Sequence, residues 1–160
     1  LKTAYYTVVT PLRLGALCAG VSAPPHLEEA AIDLGVAFQI RDDVLNLEPS
    51  SAYGKEAAGD LYEGKRTLIL AHLLAQLDGA ERERVIGLLA RPRDEKPAGE
   101  MADVLRLMNE HGSLTHAQSV AEVRAARGLA GVRAWLGSLP NQDAAAQVAA
   151  LLEDLAARAA

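Results

Sequence analysis

Apolar residues along this chain recur mostly three and four positions apart, the period of a helix, and no segment shows a convincing strand pattern. A first helix is expected over residues 2–20, kinked by Pro11, whose ring removes a donor and presses on the preceding turn. After Pro24-Pro25, the set Leu27, Ala30, Ala31, Leu34, Ala37, Phe38, Ile40, Val44 and Leu45 predicts a long, mostly buried helix over residues 26–46. Residues 48–64 hold one Pro, three Gly and two Ser and predict a surface loop. At about 17 residues it exceeds the usual ~12–15 for a structureless connection, a length at which loops are often functional.

Helices are then expected over residues 66–77 and 81–90, joined through Asp78-Gly79, with a charged, proline-bearing loop over 91–99. Residues 100–110, closed by His111-Gly112, and the stretches 113–139 and 141 to the end, parted by Pro140, complete an all-α chain. With no repeat and no long flexible linker, residues 1–160 read as one domain.

Charge and length narrow the function classes. A chain of 160 residues is long enough for a real core, since a compact fold of this size typically buries about 68–70% of its extended surface. The formal net charge of −5 argues against a nucleic-acid partner, whose phosphates need concentrated Lys and Arg, and is compatible with a divalent cation. The longest nearly apolar run, residues 67–77, is eleven residues long and includes His72 and Gln76, whereas a spanning helix needs about 20; no transmembrane segment is expected. A single cysteine, Cys18, and no secretory leader pattern suggest a cytoplasmic protein. The chain starts at Leu1 rather than Met and is helix-patterned from the outset, so it is expected to be a piece of a longer protein.

Within the second helix, Gln39, Asp42, Asp43 and Asn46 interrupt the apolar run and share one polar stripe, because Asp42 and Asn46 are i,i+4 neighbours and Gln39 lies within a turn of both aspartates. Adjacent carboxylates diverge by about 100° around the axis. Asp42 and Asp43 are therefore expected to be inequivalent, one reaching a metal while the other works through water or a basic partner. Taken alone, the pair reads first as a solvated face balanced by Arg41. Gly54-Lys55, Gly59-Asp60 and Gly64-Lys65-Arg66-Thr67 follow at once, and acidic groups beside Lys and Arg suit a Mg-diphosphate better than a bare ion.

The run Phe38-Gln39-Ile40-Arg41-Asp42-Asp43-Val44-Leu45-Asn46, followed by Gly54-Lys55, Asp60 and Gly64-Lys65-Arg66-Thr67, resembles the second aspartate-rich region of trans-isoprenyl (polyprenyl) diphosphate synthases. Lys2-Thr3 supports the match as a Lys-Thr pair at an upstream helix break, and Glu110-His111-Gly112-Ser113-Leu114 is also similar to the family. The resemblance implies an all-α, isoprenoid-synthase-type helical bundle, here partial, with its N-terminal helices outside this chain. It also implies a prenyltransferase that condenses isopentenyl diphosphate with an allylic diphosphate. By the same resemblance Asp42 would ligate Mg²⁺ with Asp43 assisting and Asn46 offering an amide oxygen. Lys2 and Lys55 would contact the diphosphate, Lys65 would lie at the mouth of the site, and Thr3 and Gln39 would steady the allylic cation or its pyrophosphate. A homodimer, or a complementary N-terminal half, is the implied partner.

Two departures stand out. Asn46 occupies a position where many members carry a third aspartate, and no second Asp-Asp pair exists in the chain to serve as the family's first aspartate-rich motif. That absence leaves a second reading, a non-catalytic regulatory or partner subunit of a heteromeric synthase; a terpene cyclase fits the Lys-Thr and Gly-Lys elements less well. Of the remaining residues, Cys18 is expected as a small core residue, Trp135 as packing, and His26, His72, His111 and His116 as cap or surface groups.

Overall fold

The computed structural model describes residues 2–47 and 58–157. Among them every regular element is helical, as the three-and-four spacing requires. The single kinked helix expected at the start is instead α1 (Lys2–Ala4), a π-helical turn (Tyr5–Val9) and α2 (Thr10–Cys18). The Thr10 N–H reaches back five residues to the Tyr5 carbonyl. Pro11 accounts for the widening, because it has no N–H to donate and its ring collides with the carbonyl four residues before it. Next come α3 (Pro25–Leu47), α4 (Gly59–Tyr62), α5 (Leu68–Gln76) and α6 (Gly79–Leu89). A 3₁₀ turn (Arg93–Glu95), α7 (Ala98–Glu110), α8 (Ser113–Leu136) and α9 (Gln142–Ala157) complete the order. No helix among the described residues is long and apolar enough to cross a membrane.

Two compact units emerge. The first comprises Leu1–Arg41 and Val120–Ala160. Its core gathers Val8 and Val9 from the π turn, Ala16 from α2, Leu27, Ala31, Leu34 and Ala37 from α3, Val132, Trp135 and Leu136 from α8, and Leu152 from α9. Burying an aliphatic side chain of this kind contributes about 1.5–3 kcal/mol, so the apolar stripe of α3 organises the unit. Trp135 packs as expected and donates its indole N–H to the Ser22 carbonyl at 2.9 Å. Within the same stripe lies Asp33, only 6% exposed, whose carboxylate accepts from Arg127 and from Arg124 at 2.7 Å. The Arg127 hydrogen bond outweighs burial and, with the charge of both arginines, holds the Asp33 carboxyl below its ordinary range. Cys18 is exposed, against the expectation of a core site, because α2 turns Ala16 inward at its C-terminal end and leaves Leu17 and Cys18 outside.

The second unit, Asp42–Ser119, buries Val44, Leu61, Ile69, Leu73, Leu77, Val85, Leu88, Met101, Val104, Leu107, Met108 and Ala117. Side-chain caps set its helix starts. α5 begins at Leu68, later than its apolar pattern suggests, because the Thr67 hydroxyl accepts the Leu70 N–H at 3.2 Å. α6 begins at Gly79, earlier than expected, because Asp78 accepts the Glu81 N–H at 2.9 Å. Part of the expected loop over 48–64 is the single turn α4, and residues 48–57 lie outside the described residues. The charged loop over 91–99 is not wholly solvated: Lys96 is buried and donates its ammonium to the Tyr62 carbonyl at the end of α4, an orphan acceptor that a cation suits. His72 and His116, expected as cap or surface groups, stack with ring centroids 4.2 Å apart, and His72 Nδ1 lies 3.0 Å from the buried Ser113 hydroxyl.

Candidate metal and diphosphate site

One helix, α3, carries Gln39, Asp42, Asp43 and Asn46. The two aspartates diverge as the helical geometry demands: Asp42 is exposed, whereas Asp43 is 7% exposed and pairs with the Lys65 ammonium at 2.8 Å. Among the described residues Asp42 has no hydrogen-bond or ion-pair partner, so its carboxylate faces solvent. Asn46 has a further task. Its side-chain oxygen accepts the Asp60 N–H at 3.0 Å and its carbonyl accepts the Ala58 N–H at 2.8 Å, satisfying donors at the N-terminus of α4. Those bonds support Ala58 in the left-handed region at φ 63°, a conformation that costs a non-glycine residue about 1–2 kcal/mol.

α4 ends in a Schellman turn. The Lys65 N–H bonds to the Asp60 carbonyl, the Gly64 N–H bonds to the Leu61 carbonyl, and Gly64 sits at φ 70°. The turn brings Lys65 back over α4, where its ammonium lies between the Asp60 and Asp43 carboxylates. Burial opposes the Lys65 charge, but hydrogen bonds and attraction from Asp43 and Asp60 prevail and raise its pKa. Asp60 belongs to the motif without being among the candidate site residues; its pairing with Lys65 depends on the left-handed turn at Gly64, of which the sequence shows only a glycine just before the lysine. Replacing Gly64 by alanine combines that φ with a Cβ only 3.2 Å from the Leu89 carbonyl oxygen. Gly64→Ala is therefore expected to destabilise the unit by about 1–2 kcal/mol, read as a lowered Tm by circular dichroism. An unchanged Tm would contradict the account of the turn.

In the first unit, the Thr3 hydroxyl donates to the Gln39 side-chain oxygen at 2.6 Å. A close helix crossing sets this bond: a Cβ at Gly35 would lie 2.4 Å from Ala4 Cα, so only glycine admits the approach. Thr3 neighbours Ala4 in the chain and Gln39 lies one turn beyond Gly35, so the contact that needs glycine also aligns the hydroxyl with the amide. Lys2 is exposed on α1, beside Thr3. Lys55 lies outside the described residues.

The structure thus joins Thr3 with Gln39 in one unit and Asp43, Asn46, Asp60 and Lys65 in the other. Among the described residues no three His, Cys, Asp or Glu side chains form a ready-made metal cage. The oxygen donors at hand, the exposed Asp42 carboxylate above all, suit Mg²⁺, which takes one or two carboxylates and completes its shell with water and substrate phosphates.

The profile of the family described as polyprenyl synthetase matches residues 1–108. The chain is 31% identical over 117 residues to a short chain isoprenyl diphosphate synthase of Methanothermobacter thermautotrophicus, covering 71% of this chain and 35% of that protein. It is 32% identical over 126 residues to a geranylfarnesyl diphosphate synthase of Natronomonas pharaonis, covering 78% of this chain and 32% of the relative. The crystal structure of geranylgeranyl pyrophosphate synthetase from Pyrococcus horikoshii superposes with a TM-score of 0.66 at 26% identity, over 82% of this chain and 38% of that one. The chain therefore spans about a third of the length of these curated relatives, and its fold is the all-α fold of the isoprenoid synthases. With a profile match over two thirds of its length and the acidic, lysine-bearing elements in place, the chain belongs to the polyprenyl synthetase family.

Proposed function

We propose that this chain supplies the second aspartate-rich half of the active site of a trans-prenyltransferase, which condenses isopentenyl diphosphate with an allylic diphosphate into a longer linear prenyl diphosphate. The observation that carries the reading is the division between the two aspartates: Asp42 presents a solvent-facing carboxylate while its neighbour Asp43 is tied to Lys65. We assign the chain as the C-terminal part of a single polyprenyl synthase domain, working in the cytoplasm as a homodimer or with a complementary N-terminal half.

Asp42 is the direct Mg²⁺ ligand in this reading, with Asp43 nearby and the Asn46 amide oxygen at the edge of the set. Bound Mg²⁺ would supply charge neutralisation for the departing pyrophosphate. Lys2, Lys55 and Lys65 contribute further positive charge, while Thr3 fixes the orientation of the Gln39 amide. Ionisation of the allylic diphosphate, attack by the isopentenyl double bond and loss of a proton complete the reaction. An apolar helical surround excludes the water that would trap the cation.

The test is a condensation assay on a longer protein carrying these residues together with a first aspartate-rich motif, given labelled isopentenyl diphosphate and allylic primers of increasing length. Label is expected in prenyl products longer than the primer. No incorporation with any primer would reject the proposal.

A further inference from the structure

The contacts of Lys65 point to a device that deepens the proposed function and rests on its metal assignment. We infer that Lys65 is an internal counter-ion that a divalent cation must displace: with no metal bound its ammonium neutralises Asp43 and Asp60, and only after displacement is it available to phosphate. The geometry is that of an exchangeable cation. The Lys65 ammonium sits 2.8 Å from the Asp43 carboxylate and lies closer still to that of Asp60, and the lysine side chain retains 40% exposure, so it can swing away into solvent. Asp43, by contrast, is held on a helix and nearly buried, so the acidic partner stays while the basic one moves.

Charge decides the order of events. Asp43 and Asp60 carry two negative charges against the single positive charge of Lys65, so the three paired groups are net −1, with the Asp42 carboxylate adding a further negative charge one residue along the helix. That sum repels a metal-free diphosphate and attracts a divalent cation. A lysine committed to two carboxylates offers phosphate little, whereas the same lysine released by a metal presents a full charge on a flexible stem. Asp60 becomes a positioning residue on this account: with Asp43, it sets how firmly Lys65 is held, and the Gly64 turn makes that return possible.

Two measurements on the 160-residue chain test the inference. In the first, Mn²⁺ is the probe and free Mn²⁺ is followed by electron paramagnetic resonance. Lys65→Gln, which removes the competitor, is expected to tighten Mn²⁺ binding by about fivefold or more. Arg66→Gln, which removes an equal but exposed neighbouring charge, is expected to change it by less than about twofold. Equal effects of the two variants would reduce Lys65 to a general electrostatic influence and overturn the exchange. In the second, the lysine side-chain ammonium signals of the unmodified chain are followed by ¹⁵N NMR during a Mg²⁺ titration. The Lys65 signal is expected to shift or broaden with saturation while that of the buried Lys96, bonded to the Tyr62 carbonyl, stays in place. An unmoved Lys65 signal with Mn²⁺ binding intact would overturn the inference alone. If none of the three proteins bound Mn²⁺, the metal assignment would fall and the exchange with it. The NMR measurement needs no variant, so a misfolded Lys65→Gln protein leaves the question decidable.

Discussion

Asp42→Ala, introduced into a longer protein that carries these residues with a first aspartate-rich motif, is expected to lower turnover by at least about 10-fold, or ~1.4 kcal/mol of transition-state stabilisation. Folding should hardly change. Asp42 is exposed and without an ion-pair partner among the described residues, and such surface positions shift stability by about ±0.5 kcal/mol. Asn46→Ala supplies the contrast, because its amide oxygen caps the Asp60 N–H and its loss should cost about 1 kcal/mol of stability with a smaller effect on turnover. Thermal melts and steady-state rates on both variants separate the two roles. Equal, negligible losses of turnover would sink the metal assignment at Asp42.

The second large effect concerns the chain by itself. Expressed alone, these 160 residues are expected to be helical, to self-associate and to show no condensation activity, and a separate N-terminal piece bearing the first aspartate-rich motif is expected to restore turnover. The chain spans about a third of its curated relatives and contains a single Asp-Asp pair. Self-association follows from apolar groups left outside: Tyr6, Leu14 and Leu17 stand exposed near the start of the chain, Leu17 at 75%. Circular dichroism, sizing and a turnover assay check the three parts. Sustained condensation by the purified chain with no added partner would require a complete site within it and overturn the expectation.

The long helix of the site was legible because its apolar residues return every three or four positions, and seven of the nine named for it are buried. Phe38 and Leu45 fall at the edges of the stripe, where periodicity alone does not set depth. The inequivalence of Asp42 and Asp43 was equally legible, since adjacent positions on a helix must diverge. Other features depend on partners that no local pattern encodes. Asp33 meets arginines 91 and 94 residues away, and Lys96 reaches a carbonyl 34 residues before it. Asn46 read as an oxygen ligand because its place in the stripe was visible, while its hydrogen bond to Asp60 depends on the fold of α4. The helix starts at Thr67 and Asp78 are a different kind of miss, since both are capping residues plain in the sequence.

The π-helical turn between Tyr5 and Val9 acts as a phase adjuster for the residues ahead of it. Each residue added to or taken from a helix rotates everything beyond it by about 100°. Lys2, Thr3 and Ala4 therefore owe their azimuth to the surplus residue stored in that wider turn, while Val8 and Val9 stay in the core. Deleting one residue there would let the backbone relax to an ordinary α-helix, at the cost of swinging Ala4 off Gly35 and Thr3 off Gln39. Length variation is thus constrained in this turn even though Tyr5 and Tyr6 are themselves exposed: what is kept is a count of residues rather than any one side chain.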